Sequence, residues 1–241
     1  MQAYEYLPFT SEQQLIGNLR TQLEKLNDYT FTDNEWSEFF DSKIANENYD
    51  IEDKTAIIQE DHIQLLTRAD GTIKNIYLID KDNIHNNRLQ VINQYVDTDN
   101  VPTNETEAGR THRYDVTILV NGLPLVHIEL KRRGVDLKEA FNQINRYSRE
   151  SFWAGSGLFE YVQLFVISNG TYTKYYSNTT RSTHIKELET SKPAKGKRSS
   201  NSYEFTSWWA DANNRPITDL LDFANTFFAK HAILSILTKY C

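Results

Sequence analysis

Residues 11–27 carry apolar side chains at helical spacing, with Leu15, Ile16, Leu19, Leu23 and Leu26 on one stripe and Thr10 or Ser11 placed to cap the helix. A second helix is predicted over about Asp33 to Asn46, with Trp36, Phe39 and Phe40 as its apolar face. Apolar runs near Ile57, at Ile76 to Ile79 and at Leu89 to Val96 read as strands, the middle one following the turn signal Asp70-Gly71. Residues 97–112 are polar and loop-like. Two Val, Ile and Leu-rich segments then follow, 114–120 and 124–131, joined at Asn121 and Gly122, a strong hairpin signal. Leu137 to Glu150 has Ala140, Phe141, Ile144 and Tyr147 at helical spacing, Tyr161 to Ser168 reads as a buried strand, and Asn169-Gly170 leads to another at Tyr172 to Ser177. Trp208 and Trp209, read as structural, precede an amphipathic run from Ile217 to Leu237 that predicts one or two closing helices. Strands, a helix and further strands in this order predict an α/β fold, a mixed central sheet flanked by helices.

Charge interrupts the pattern in the hairpin. Asp115 opens its first strand, and Glu129 and Lys131 close its second. An unpaired buried charge costs several kcal/mol or neutralises, so these residues need partners. A two-residue Asn-Gly turn with regular pairing would set Asp115 across from Ile128 and put the two acids on opposite faces. An odd-length loop, such as Asn121 to Leu123 with Val120 paired to Pro124, or else a bulge, sets Asp115 across from Glu129. That arrangement is predicted, with Gly122 or its neighbour in the left-handed conformation. Two convergent carboxylates suit magnesium or manganese, and Lys131 projects from the same face. On spacing alone, a cross-strand salt bridge accounts for the three charges equally well. His127 shares the face of Glu129 and is expected to be a satisfied structural histidine. Gln143 and Tyr147, four apart on the helix, share one of its faces.

The run YDVTILVNGLPLVHIELKRRGVDLKEAFNQINRYSRES, from Tyr114 to Ser151, resembles the nuclease domain of the restriction (R, motor) subunit of type I restriction-modification enzymes, in the PD-(D/E)xK superfamily. The stretches SEQQLIGNLRTQLEKLNDYTFTDNEW and WWADANNRPITDLLDFANTFF carry the same resemblance. It implies a restriction-endonuclease-like sheet and a nuclease site in which Asp115 and Glu129 are the metal ligands, Lys131 is the catalytic lysine, and Gln143 with Tyr147 supports the site or contacts DNA. Tyr114 stands where the motif's proline would be. No residue is assigned as an upstream acid, for which Glu12, Glu24, Glu35, Glu38 and Glu60 are candidates. The resemblance further implies Mg2+ as cofactor, with Mn2+ able to substitute, and double-stranded DNA as substrate. The methyltransferase and specificity subunits are the implied partners. Residues 1–205 would form the endonuclease domain, and 206–241 a helical connection towards a helicase/translocase that lies beyond Cys241 and is the part that uses ATP. A non-catalytic docking module of the same assembly is the alternative.

Composition narrows the picture modestly. The 241 residues, 39% hydrophobic and 12% aromatic, suffice for a sizeable core. One cysteine, Cys241, rules out an intramolecular disulfide framework and suits a reducing, cytoplasmic setting, and no apolar run is long enough to span a bilayer. A net charge of -7 disfavours independent DNA binding, which suggests that other parts of the assembly hold the substrate. Basic residues gather locally at Lys131, Arg132 and Arg133, at Arg146 and Arg149, and at Lys186, Lys192, Lys195, Lys197 and Arg198, the last group read as a solvated loop. No GxxxxGK phosphate-binding motif is present, so this chain is not expected to hydrolyse ATP.

Overall fold

The computed structural model describes residues 4–96, 113–150, 152, 155–179, 203 and 205–240. The predicted loop at 97–112 and the basic segment from Lys186 to Arg198 fall outside them. Eight strands and six helices are described: β1 (Tyr4–Tyr6), α1 (Glu12–Asn27), α2 (Asp33–Phe39), α3 (Ile51–Gln59), β2 (Ile63–Thr67), β3 (Ile73–Tyr77), β4 (Leu89–Val96), β5 (Arg113–Val120), β6 (Leu123–Leu130), α4 (Leu137–Glu150), β7 (Leu164–Ser168), β8 (Thr173–Ser177), α5 (Leu220–Phe227) and α6 (Lys230–Lys239). Six strands form one mixed sheet in the order β1-β4-β5-β6-β7-β8, and β2 and β3 pair separately as a hairpin. β1 runs parallel to β4 and β6 parallel to β7, the other neighbours being antiparallel. This is the expected α/β architecture, consistent with a restriction-endonuclease-like fold.

Local chemistry explains most elements. Ser11 and Gln14 form a reciprocal capping box at the start of α1, and Thr32 with Glu35 does the same for α2. A π-helical turn, Phe40–Ile44, prolongs α2 and keeps Phe40 and Ile44 in the core. The strand predicted near Ile57 is a helix instead. Asp50 caps α3 and Asp53 returns the bond, and this start signal outweighs a short Ile57-Ile58 run that has no alternation. The strand expected from Tyr161 begins at Leu164, because Leu158–Tyr161 is a 3-10 turn.

The central hairpin sets the site. Asn121 and Gly122 both take left-handed conformations, with φ of 51° and 86°, and pair Val120 with Leu123 in a two-residue turn. The predicted three-residue loop is therefore replaced by the other solution, a bulge. Leu119 pairs with Pro124 but Ile118 with Val126, so Leu125 is the extra residue and Val116 falls opposite Ile128. Asn121 suits its place for a second reason. Its buried amide donates to Leu78 O and Asn87 Oδ1 and accepts from Arg88 N, at 2.7–3.0 Å.

Gly122 is required by crowding as well as by φ, since a Cβ there would stand 2.6 Å from Leu19 Cα of α1. Gly122→Ala should cost about 2–4 kcal/mol, combining left-handed strain with overpacking against helix backbone. A urea titration checks this, and a loss below about 1 kcal/mol would mean that α1 yields freely.

One apolar cluster unites the sheet with its helices. Leu15, Leu19 and Leu23 of α1, Ala140, Phe141 and Ile144 of α4, and Phe223, Phe227, Ile233, Leu234 and Leu237 of the last two helices are all buried in it. The C-terminal helices are tied to the first and last strands. Tyr175 packs on Phe227 at 4.9 Å between ring centres, and the Tyr4 hydroxyl donates to Phe228 O at 2.7 Å. Trp209 packs against Phe227, as a structural tryptophan should. Trp208 is 38% exposed and lies over the Lys174 ammonium, so its place is at the surface.

Candidate active site

β6 is a central strand with β5 on one side and β7 on the other. Glu129 is its penultimate residue, paired with Ile167 of β7 and 0% exposed. A carboxylate in that position needs a compensating charge, and Lys131 supplies it two residues on. The Lys131 Nζ donates to Glu129 Oε1 at 2.8 Å and also to Gln143 Oε1 on α4. Gln143 Nε2 in turn donates to the Tyr147 hydroxyl. The amide orientation is dictated by the ammonium, which can only donate.

α4 reaches the site for sequence reasons. Asp136 accepts from Lys138 N at the helix start, at 2.9 Å. Leu137, Ala140, Phe141, Ile144 and Tyr147 face the sheet, while Lys138, Glu139, Asn142 and Arg146 face water. Gln143 lies at the margin between these faces, where it reaches Lys131. Burial pushes the Tyr147 phenol up to about 12, and the nearby Glu129 and Asp115 charges act in the same direction, so the hydroxyl stays protonated.

Asp115 lies on the β5 side. With Val116 opposite Ile128, the bulged register brings Asp115 alongside Glu129. The β4 ladder pairs Asn93 with Val116 and Tyr95 with Tyr114, and between them Gln94 is left-handed at φ 54°, so the sheet is irregular beside Asp115. Asp115 Oδ2 accepts from Leu130 N at 2.8 Å, turning the carboxylate towards β6. Burial raises its pKa first and Glu129 raises it further, while the Leu130 N–H and Lys131 pull it down; the net shift is upward.

Asp115, Glu129, Lys131, Gln143 and Tyr147 are thus brought together by one hairpin and one helix. Among the described residues no group of three or more His, Cys, Asp and Glu is arranged to hold a metal ion. Asp115 and Glu129 are the pair that could hold one. Three of the upstream acids have other duties. Glu12 accepts from Ser156 N at 2.7 Å, Glu24 pairs with Arg20 at 3.2 Å, and Glu35 caps α2.

The model of the family described as type I restriction enzyme R protein N terminus matches residues 4–184 of the chain. This chain belongs to that family. It is 45% identical over 240 residues to the Escherichia coli type I restriction enzyme EcoprrI endonuclease subunit, covering 99% of this chain and 69% of that protein. It is also 34% identical over 242 residues to the SsaAORF53P endonuclease subunit of Staphylococcus saprophyticus, covering 98% of this chain but 22% of that one. A putative MjaIXP endonuclease subunit of Methanocaldococcus jannaschii matches at 32% over 106 residues, 43% of this chain and 9% of the relative. Relative to the staphylococcal subunit, the chain spans about a fifth of the length.

Two features of this R-protein N-terminal chain were not legible in the sequence. His127 is 0% exposed, but the expectation of a satisfied histidine fails, because its Nε2 has no hydrogen-bond partner among the described residues. The other feature is a cleft of about 640 Å³ beside the β6–α4 connection, lined by Val135, Asp136, Asn169, Tyr172, Lys174 and Trp208 among others. Two of its polar side chains are already engaged. Asn169 bonds to Val135 O, Thr171 N and Tyr172 N, and Lys174 bonds to Thr206.

Proposed function

We propose that this chain is the nuclease domain of a type I restriction enzyme's endonuclease subunit, a PD-(D/E)xK centre that hydrolyses phosphodiester bonds of double-stranded DNA with Mg2+, or Mn2+ in its place. The observation that carries this reading is Glu129. A wholly buried carboxylate has been placed beside a second carboxylate and clamped to a lysine that α4 holds from the other side. A structural salt bridge does not require the neighbouring Asp115, whose charge raises the cost of the arrangement.

The donor set fits the ion. Mg2+ is commonly bound through one or two carboxylates, with water and phosphate oxygens completing its shell, and Glu129 Oε2 is a buried oxygen without a hydrogen-bond partner among the described residues. When bound, the ion supplies Lewis-acid chemistry, polarising a phosphoryl oxygen and making a water more acidic. Asp115 and Glu129 hold and orient it. Lys131 spends two of its three N–H donors on Glu129 and Gln143, and the third meets the attacking water or the negative charge that develops on phosphate. Gln143 and Tyr147 fix the ammonium in that position. Arg132 and Arg133, exposed just beyond Lys131, and Arg146 on α4 offer contacts to phosphates.

The net charge of -7 supports a division of labour. The helicase/translocase of the full-length subunit, using ATP, and the methyltransferase and specificity subunits hold and move the DNA in the cytoplasm, and this domain cuts it. Calorimetric titration of Mn2+ into the chain should show binding that disappears in Glu129→Ala, with folding verified by circular dichroism. The same substitution in the complete enzyme should abolish plasmid cleavage while ATP hydrolysis continues. Unchanged cleavage would refute the assignment and favour a docking module.

A further inference from the structure

His127 and Glu129 are neighbours on one face of β6, both 0% exposed. His127 Nε2 lies 3.6 Å from Glu129 Oε2, and neither atom has a hydrogen-bond partner among the described residues. A buried polar atom left unsatisfied is costly, so two that face each other call for a common explanation. The imidazole is not free to look elsewhere. The rings of Tyr114, Tyr147 and Phe152 pack against it in T-shaped contacts, at 5.6, 6.1 and 5.8 Å and at 80°, 78° and 76°, and restrict its rotation. Its other nitrogen, Nδ1, is 3.4 Å from Thr117 Oγ1 on β5. Of the two neutral tautomers, only the one protonated on Nε2 avoids setting a nitrogen lone pair against the carboxylate. In that tautomer Nδ1 accepts from the Thr117 hydroxyl.

We propose that His127 is a positioning residue for the metal-binding carboxylate. Thr117 orients the ring, and the Nε2–H donates to Glu129 Oε2. This rests on the reading of Glu129 as a metal ligand. The 3.6 Å separation exceeds an N–H···O bond by roughly 0.5 Å, so the bond forms as the two side chains close on each other. Lys131 holds Oε1 and His127 holds Oε2, which fixes the plane of the carboxylate. Because an ionised carboxylate has about four lone-pair sites, both oxygens keep capacity for an ion. Partners of this kind typically govern ligand orientation, and their loss costs about 10–100-fold in metal affinity.

Mn2+ titration calorimetry of the chain tests this with His127→Leu, His127→Gln and Thr117→Val, each also melted in EDTA. His127→Leu should bind Mn2+ about 10–100-fold more weakly. His127→Gln, which restores an N–H donor, should recover most of that loss, and Thr117→Val should fall between. A purely structural histidine would lower the melting temperature without a graded change in affinity or rescue by Gln. Wild-type affinity in folded His127→Leu would overturn the proposal alone. If that variant does not fold, wild-type affinity in Thr117→Val overturns it equally. No Mn2+ binding by the unmodified chain, with or without duplex DNA, would overturn the metal-site reading and this inference with it.

Discussion

Lys131→Met in the complete enzyme is expected to lower DNA cleavage by about a hundredfold or more, and in this chain to destabilise the fold as well. Both effects arise from one atom. Nζ is the group proposed to meet the nucleophile or the phosphate, and it is also the counter-charge of Glu129, whose side chain is 0% exposed. Methionine keeps the length and apolar stem of lysine but leaves Glu129 Oε1 without its cation and Gln143 Oε1 without its donor. Breaking a buried pair from one side costs about 3 kcal/mol or more, which for a domain of this size is about 6–12 °C in melting temperature. The two effects separate in a second variant. Adding Glu129→Gln to Lys131→Met removes the stranded charge, so stability should return while cleavage does not. Scanning calorimetry of the single and double variants checks this. If the double variant melts no higher than Lys131→Met, an uncompensated Glu129 is not the source of the loss.

What could be read from the sequence follows from how local each cause is. The Asn121-Gly122 turn was legible because two successive left-handed residues are a steep local demand that few dipeptides meet. The α4 face was legible from spacing, and the shared face of Asp115 and Glu129 from the cost of separating two acids within a buried sheet. The device that achieves it, a bulge at Leu125, has no local signal beyond the neighbouring Pro124. α3 was misread because a two-residue apolar run fits either element, and the deciding feature was its cap, Asp50 with Asp53. β1 was missed because three residues pairing in parallel with β4 depend on a partner more than eighty positions away. In the site, Lys131, Gln143 and Tyr147 follow from a strand and a helix each read correctly. The stranded atoms of His127 and Glu129 depend on β6 being central, which is a property of strand order and not of residue spacing.

Asp115→Asn should remove cleavage while making the metal-free chain more stable at neutral pH. In the native chain the Asp115 pKa is raised above its ordinary value, because burial strips its water and Glu129 lies close by. The sign follows by linkage. A carboxyl whose folded pKa is raised favours folding while it holds its proton, and that contribution is lost as pH rises through the raised value. At pH 7 the ionised form is therefore a cost to the fold, which asparagine lacks. Asparagine also keeps an oxygen for the Leu130 N–H, so the 2.8 Å bond that turns Asp115 towards β6 survives. Melts in EDTA should accordingly place Asp115→Asn above the parent at pH 7, with the difference closing below about pH 4. Adding Mn2+ should reverse the order, because an ion at a hundred times its dissociation constant stabilises the parent by about 2.7 kcal/mol and the variant much less. A variant that melts below the parent at pH 7 in EDTA would show that Asp115 serves the fold more than the ion. The reverse would mark this carboxylate as one kept at the expense of stability, the expected signature of a residue retained for chemistry.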